Sequence, residues 1–179
     1  MKLYKNVDIK DLESILKKGL ISLDESGNDN WDEGKRANNP TDKVYLFRPK
    51  NVGDSFPKYG AALIECEAVA SHNEISENDK HYGEYEEYIA EYVSPDHILN
   101  IYVPDGFMPL VPDNIKEKVT PCKMTAMTYE GWNYVEASKE TLTQFYETAP
   151  AYSAHEFNFF RGENSDRTMI DLYEIKYLW

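Results

Sequence analysis

The sequence reads as an α+β domain in which a few helices are set among many strands. One amphipathic helical stretch, Ile9 to Leu16, follows a short apolar strand at the N-terminus. Thereafter the apolar runs are short and bounded by Pro, Gly, Asn and Asp, the length and punctuation of strands. The 14 tyrosines among 179 residues suit half-buried strands, where one end of the ring meets water.

Leu3 to Asn6 is expected as the first strand. Asp8 then offers an N-cap, Asp11 favours the positive end of a helix, and Ile9, Leu12, Ile15 and Leu16 fall on one face. Lys17 and Lys18 meet the negative end of the helix, and Gly19 supplies its C-terminal cap. From Asp24 to Asp42 the chain is polar apart from Trp31 and Ala37. A loop of that length either serves a ligand, with Trp31 closing over it, or is pinned to the core by the same ring.

Val44 to Phe47 is a compact apolar strand, ended by Arg48 and Pro49. Ala61 to Ala70 follows as a strand with Leu63, Glu65 and Glu67 on one face and Ala62, Ile64, Cys66 and Ala68 on the other. The stretch from Tyr82 to Pro104 sets Glu84, Glu86, Glu87 and Glu91 among Tyr82, Tyr85, Tyr88 and Tyr92. As a helix it would align Tyr85, Tyr88, Ile89 and Tyr92 in one stripe; as a strand it would put Ile89, Glu91 and Val93 on one face. The expected structure is a helical turn through about Tyr88 and a strand from about Ile89 to Val93, with a further strand from Ile98 to Val103.

Beyond Pro104, the prolines at 104, 109, 112 and 121 predict surface loop with one helical turn near Asn114 to Val119. Ser138 can cap a helix running to about Glu147, and Arg167 to Trp179 is apolar in both periods, which leaves its structure open. Residues 1–104 therefore read as the core, and 105–179 as a C-terminal extension packed on the same domain.

The net charge of −13, from 32 acidic and 19 basic residues, excludes a broad basic face for nucleic acid. It suits an enzyme, or an acidic decoy lodged in another protein's nucleic-acid groove. Neither a secretory leader nor an apolar run of membrane-spanning length is present, so the expected location is the cytoplasm, a host cell's included, with no membrane partner. Cys66 and Cys122 are expected as reduced thiols, Cys66 packed in its strand.

Metal chemistry finds no support, since His72, His81, His97 and His155 are scattered without ligand spacing. A calcium loop, a P-loop and a dinucleotide glycine pattern are all missing. What remains is a carboxylate, Glu91, on a strand backed by aromatics. Such a group can hold a sugar hydroxyl, stabilise a developing oxocarbenium ion or act as a general base. It can equally be a solvated charge on an edge strand.

The order of the pieces LYKNVDIKDLESILKKGL (3–20), VYLF (44–47), YGAALIECEA (59–68) and AEYVSPDHILNIYV (90–103) resembles the ADP-ribosyltransferase fold, including its small DNA-modifying toxins of the DarT type. The resemblance spans roughly the first 104 residues and rests on pattern. It implies split, mixed or antiparallel sheets with a few flanking helices, and NAD as the substrate. It makes Glu91 the catalytic glutamate, with Glu87 in that role if the register shifts by one turn. Tyr45 or Phe47 would shape the nicotinamide pocket, Tyr59 would stack on the ring, and Lys5, Asn6 and Arg48 would join Tyr45 in lining the cleft. The family usually carries His or Arg after its first Leu-Tyr pair, where this chain has Lys5 and then Asn6. Lysine supplies charge there without the planar fork of arginine.

Two functions follow. The first is a mono-ADP-ribosyltransferase, a toxin, effector or phage-encoded modifier, that cleaves NAD and transfers ADP-ribose to a macromolecular acceptor, a protein in preference to nucleic acid. It expects Glu91 in a cleft beside Lys5. The second is an acidic inhibitor mimicking nucleic acid in the basic groove of a nuclease or defence complex, and it expects Glu74, Glu77, Glu84, Glu86 and Glu87 exposed on one face.

Overall fold

The computed structural model describes residues 1–26, 40–50, 62–79, 82–83, 85–122, 125–130, 133–136, 140, 160–161 and 169–174. Strand β1 (Lys2–Val7) leads through a 3₁₀ turn, Ile9–Asp11, into helix α1 (Leu12–Lys18) and a short helix α2 (Leu23–Ser26). The turn begins as its residues require: Asp8 is extended and its carboxylate accepts from the Lys10 N–H at 3.1 Å. Strands β2 (Val44–Pro49), β3 (Ala62–Glu67), β4 (Ser71–Asn73), β5 (Tyr85–Ala90), β6 (Ile98–Pro104) and β7 (Thr120–Cys122) follow. They form one sheet in the order β4-β5-β2-β1-β3-β6-β7, antiparallel throughout except for the parallel pair β6–β7. A second antiparallel sheet, order β10-β11-β8-β9, is built from β8 (Thr125–Glu130), β9 (Asn133–Glu136), β10 (Phe160–Arg161) and β11 (Met169–Glu174). The architecture is mixed α+β with few helices, as the sequence predicts.

Apolar side chains fill both faces of the large sheet. On one face Leu3, Val7, Leu46, Ile64 and Ile101 pack with Leu12 and Ile15 of α1. On the other, Tyr4, Phe47, Leu63 and Tyr85 form a smaller aromatic cluster, with Phe47 centred 6.1 Å from Tyr4 and 5.7 Å from Tyr85. Leu63 and Ile64, adjacent in β3, are both fully buried, so β3 is covered on both sides. The main core runs past Pro104: Phe107, Val111, Ile115 and Val119 are buried in it, carried by two 3₁₀ segments, Asp105–Leu110 and Asp113–Lys118. The expected helical turn at 114–119 is the second of these, and the C-terminal portion supplies β7 to the same sheet.

Two local expectations change. No helical turn precedes Tyr88, because Tyr85–Ala90 is one strand zipped between β2 and β4, with Val44 opposite Ala90, Phe47 opposite Glu87 and Pro49 opposite Tyr85. The strand also ends at Ala90 and not at Val93. Val93 makes only an isolated pair with Leu20, through hydrogen bonds of 2.9 and 3.0 Å. The tyrosine spacing of three and four suits a helix, and the backbone partners of the two neighbouring strands override it. Trp31 and the helix expected from Ser138 to Glu147, apart from residue 140, lie outside the described residues.

Gly19 fixes the junction between α1 and the exit of β5. Its φ of 82° with ψ of −170° belongs to a region that only glycine visits readily, and its N–H closes the helix on the Ile15 carbonyl at 2.7 Å. A Cβ there would stand 2.0 Å from the Val93 carbonyl oxygen. Gly19→Ala is expected to destabilise the fold by at least about 2 kcal/mol, read as a lowered denaturant midpoint. A midpoint equal to wild type would show that α1 does not depend on this close approach.

Candidate functional site

The large sheet is nearly divided in two. β1 pairs with β3 from Lys2 to Val7, and β2 pairs with β5 from Val44 to Pro49, but β1 and β2 share only the pair Tyr4–Phe47. Past that point Lys5, Asn6 and Val7 diverge from Leu46, Tyr45 and Val44. A cavity of about 440 Å³ opens in the fork and is lined by all six of these residues. Its outer wall comes from Asp11, Ser14, Ile15 and Lys18 of the helical segment, and its rim from Glu25, Ser26, Pro40, Thr41 and Lys43. Gly19, Leu20, Ile21, Leu23, Phe47, Tyr85 and Glu87 complete the lining. The volume lies in the range of small-molecule sites.

Lys5 spans the fork. Its Nζ donates to the Tyr45 carbonyl oxygen at 3.1 Å, so a side chain takes a backbone acceptor from the parted strands. The residue is half-buried, and burial at the amine pushes it down to about 8 against the opposing pull of Glu87. Asn6, 6 % exposed, lies on the opposite face of β1 and still lines the cavity. Tyr45 reaches the rim, where its hydroxyl donates to the Pro40 carbonyl at 3.0 Å.

Glu87 is 6 % exposed and accepts from Asn73 Nδ2 at 2.7 Å. β5 aims it beside Phe47, and β4 brings Asn73 to hold it. The pairing makes the strand face explicit: Tyr85, Glu87 and Ile89 on one side, Glu86, Tyr88 and Ala90 on the other.

Of the residues named from sequence, Lys5, Asn6, Tyr45, Phe47 and Glu87 meet in this cavity. Glu91 does not. It sits beyond the end of β5 with its side chain 81 % exposed, and both carboxylate oxygens accept from Lys43 Nζ, at 2.7 and 2.8 Å. The expectation of Glu91 in a cleft beside Lys5 is therefore not met, because the strand stops before Glu91 is reached, and Glu87 lines the cavity instead. Arg48 also lies away from the cavity, on the face opposite Glu87, with Nε and Nη2 donating to Glu86 at 2.9 and 2.6 Å. Tyr59 lies outside the described residues.

The exposed acidic face is not formed as expected either. Glu87 is buried, and Glu86 is held by Arg48 and by the Tyr88 hydroxyl at 3.0 Å. Burial opposes the charge of Glu86, but those donors outweigh it and keep the carboxyl below its usual range. Glu74 and Glu77 are exposed, and Glu84 lies outside the described residues. Sequence reasoning did not single out Asn73 or the wall residues Ser14 and Lys18. Their part depends on which strand neighbours β5 and where α1 docks, neither of which has a local signal.

Among the described residues Glu65 is also a deeply buried carboxylate. It accepts from Asn100 at 2.9 Å and Tyr102 at 2.8 Å and pairs with Lys2 at 2.5 Å. Burial works against its charge, yet these partners hold its carboxyl below the ordinary range. It does not line the cavity and reads as structural. The Cys66 thiol, 3.6 Å from the Leu3 carbonyl, is buried and pushed up to about 12, which makes it unreactive.

Among the described residues no group of three or more His, Cys, Asp or Glu side chains could hold a metal ion, and no helix is long and apolar enough to cross a membrane. Comparison with known proteins places the chain in no family: no family model, no curated protein and no solved structure matches it.

The lowered Lys5 amine has a measurable consequence. Between about pH 8 and its ordinary 10.5 the unfolded chain binds more protons at this residue than the folded chain, so its contribution to stability rises with pH across that window. Tyr4 and Cys66, both pushed up to about 12, act in the opposite direction. Subtracting the stability of Lys5→Met from that of wild type removes them to first order. The difference is expected to shift in favour of wild type by about 2 kcal/mol between about pH 7 and about pH 9.5, from denaturant titrations. A difference that stays flat would mean the amine is not desolvated.

Proposed function

We propose that the chain is an ADP-ribosyltransferase-type enzyme that cleaves the nicotinamide glycosidic bond of NAD and passes ADP-ribose to a macromolecular acceptor, with Glu87 as its catalytic carboxylate. The reading is carried by one observation: five residues named by the family resemblance, from the three strands β1, β2 and β5, converge on one cavity in the fork between β1 and β2.

The residues present suit such a substrate. Glu87 is held by Asn73 and faces the cavity, so it can accept from a ribose hydroxyl and stabilise positive charge at the carbon that loses nicotinamide. Phe47 and Tyr85 offer ring surface to a planar base, and Lys5 offers a cationic donor to the ribose and phosphate portion. Apolar Ile15, Leu20, Val44 and Leu46 keep the site dry, which strengthens each charge within it. The exposed rim at Ser26, Pro40 and Thr41 is where an acceptor would approach.

Glu87→Gln, close in shape to the native side chain, is expected to lower NAD turnover by about 100-fold or more, whereas Glu91→Gln stays within about twofold of wild type. The assay is release of nicotinamide from NAD, with a cell lysate supplied as acceptor source. Loss of activity in Glu91→Gln with Glu87→Gln unaffected would overturn the assignment. Failure of wild type to bind or consume NAD would overturn the function.

A further inference from the structure

Lys5 has a chemistry that the nucleotide reading leaves unused. Lysines at protein surfaces are protonated, hydrated and mobile, and so make poor nucleophiles. Lys5 differs on each count. Its amine is buried, tethered to the Tyr45 carbonyl at 3.1 Å, and borders a cavity of about 440 Å³ whose walls include Ile15, Leu20, Leu46 and Phe47. We propose that Lys5 is a carbonyl-capturing residue, whose Nζ condenses with a small uncharged aldehyde admitted to the fork cavity to give an imine.

In the first step the nitrogen lone pair attacks the carbonyl carbon, a C–N bond forms, and the C=O π pair moves to oxygen. A proton then passes from nitrogen to that oxygen, giving a carbinolamine. Loss of water breaks the C–O bond and leaves the imine, with no net oxidation or reduction. Glu87 lines the same cavity and acts electrostatically on Lys5, so a carboxylate is present in the site as a proton acceptor. The apolar part of the walls favours an aldehyde with an aromatic or short aliphatic body. This activity does not rest on the nucleotide reading.

Desolvation supports the geometry. With its amine at about 8, Lys5 has roughly a tenth of its molecules neutral at neutral pH, against well under a thousandth for an ordinary lysine. The charged and titratable groups that line the cavity with it are Asp11, Lys18, Glu25, Lys43, Tyr45, Tyr85 and Glu87, and Cys66 of β3 also acts on its charge.

The test treats the intact chain with benzaldehyde at about pH 7, reduces any imine with borohydride, and maps the secondary amines by peptide mass spectrometry. Lys5 is expected to be labelled at least about tenfold faster than the mean of the other lysines, and that excess is expected to shrink by about pH 10, where ordinary lysines lose their protons. Lys5→Arg keeps the charge and is expected to lose the fast label. The wild-type map decides the matter even if that variant folds poorly. Labelling of Lys5 no faster than that of the other lysines would overturn the proposal.

Discussion

The structure turns on the parting of β1 from β2 after a single shared pair. Backbone groups in a sheet interior are satisfied by their neighbours, and strands that diverge forfeit that satisfaction. Lys5 offsets part of the loss by donating to the Tyr45 carbonyl, at the cost of bringing an amine out of water. Glu87, reached from β5 on the far side of β2, moderates that cost through its charge. The cavity is thus more than a packing gap. It exists because two halves of a sheet, each well paired within itself, are joined at Tyr4 and Phe47 and held open beyond them.

Four glutamates show how position decides chemistry. Glu65 is buried and fully engaged by Lys2, Asn100 and Tyr102, so its charge serves the sheet. Glu86 is clamped by Arg48, and Glu91 is a solvated partner of Lys43 at the surface, where such pairs contribute little. Glu87 alone of the four lines the cavity. Glu86 and Glu87 are neighbours in sequence, yet the alternation of a strand sends one to Arg48 and the other to the fork.

Much of this was legible in the residues, and the part that was not has a physical reason. Asp8, the Ile9–Leu12–Ile15 stripe and Gly19 carry local signals, and the first strand and helix form where those signals put them. Val44 to Phe47 is apolar and bounded by Arg48 and Pro49, and it too appears as expected. Tyr85 to Val93 spaces its tyrosines as a helix would. Its conformation is settled by the partners it meets in β2 and β4, and that is long-range information. The strand therefore starts earlier than the residues suggest, which leaves Glu91 beyond its end while Glu87 lines the cavity.

The negative charge of the whole chain and the chemistry of the cavity act at different ranges. A net charge of −13 would repel an anionic ligand if it acted evenly, but surface charges separated by more than about 8–10 Å are largely screened at physiological salt. Within the cavity the relevant charges are those of its own lining, where Lys5, Lys18 and Lys43 stand against Asp11, Glu25 and Glu87. That local balance is neutral, so a ligand there meets alternating charge and not a uniform field. In the proposed reading, the positive nicotinamide ring would lie toward Glu87 and the phosphates toward the lysines. The overall acidity then bears on solubility and on which macromolecules approach the rim, while the fork decides what enters.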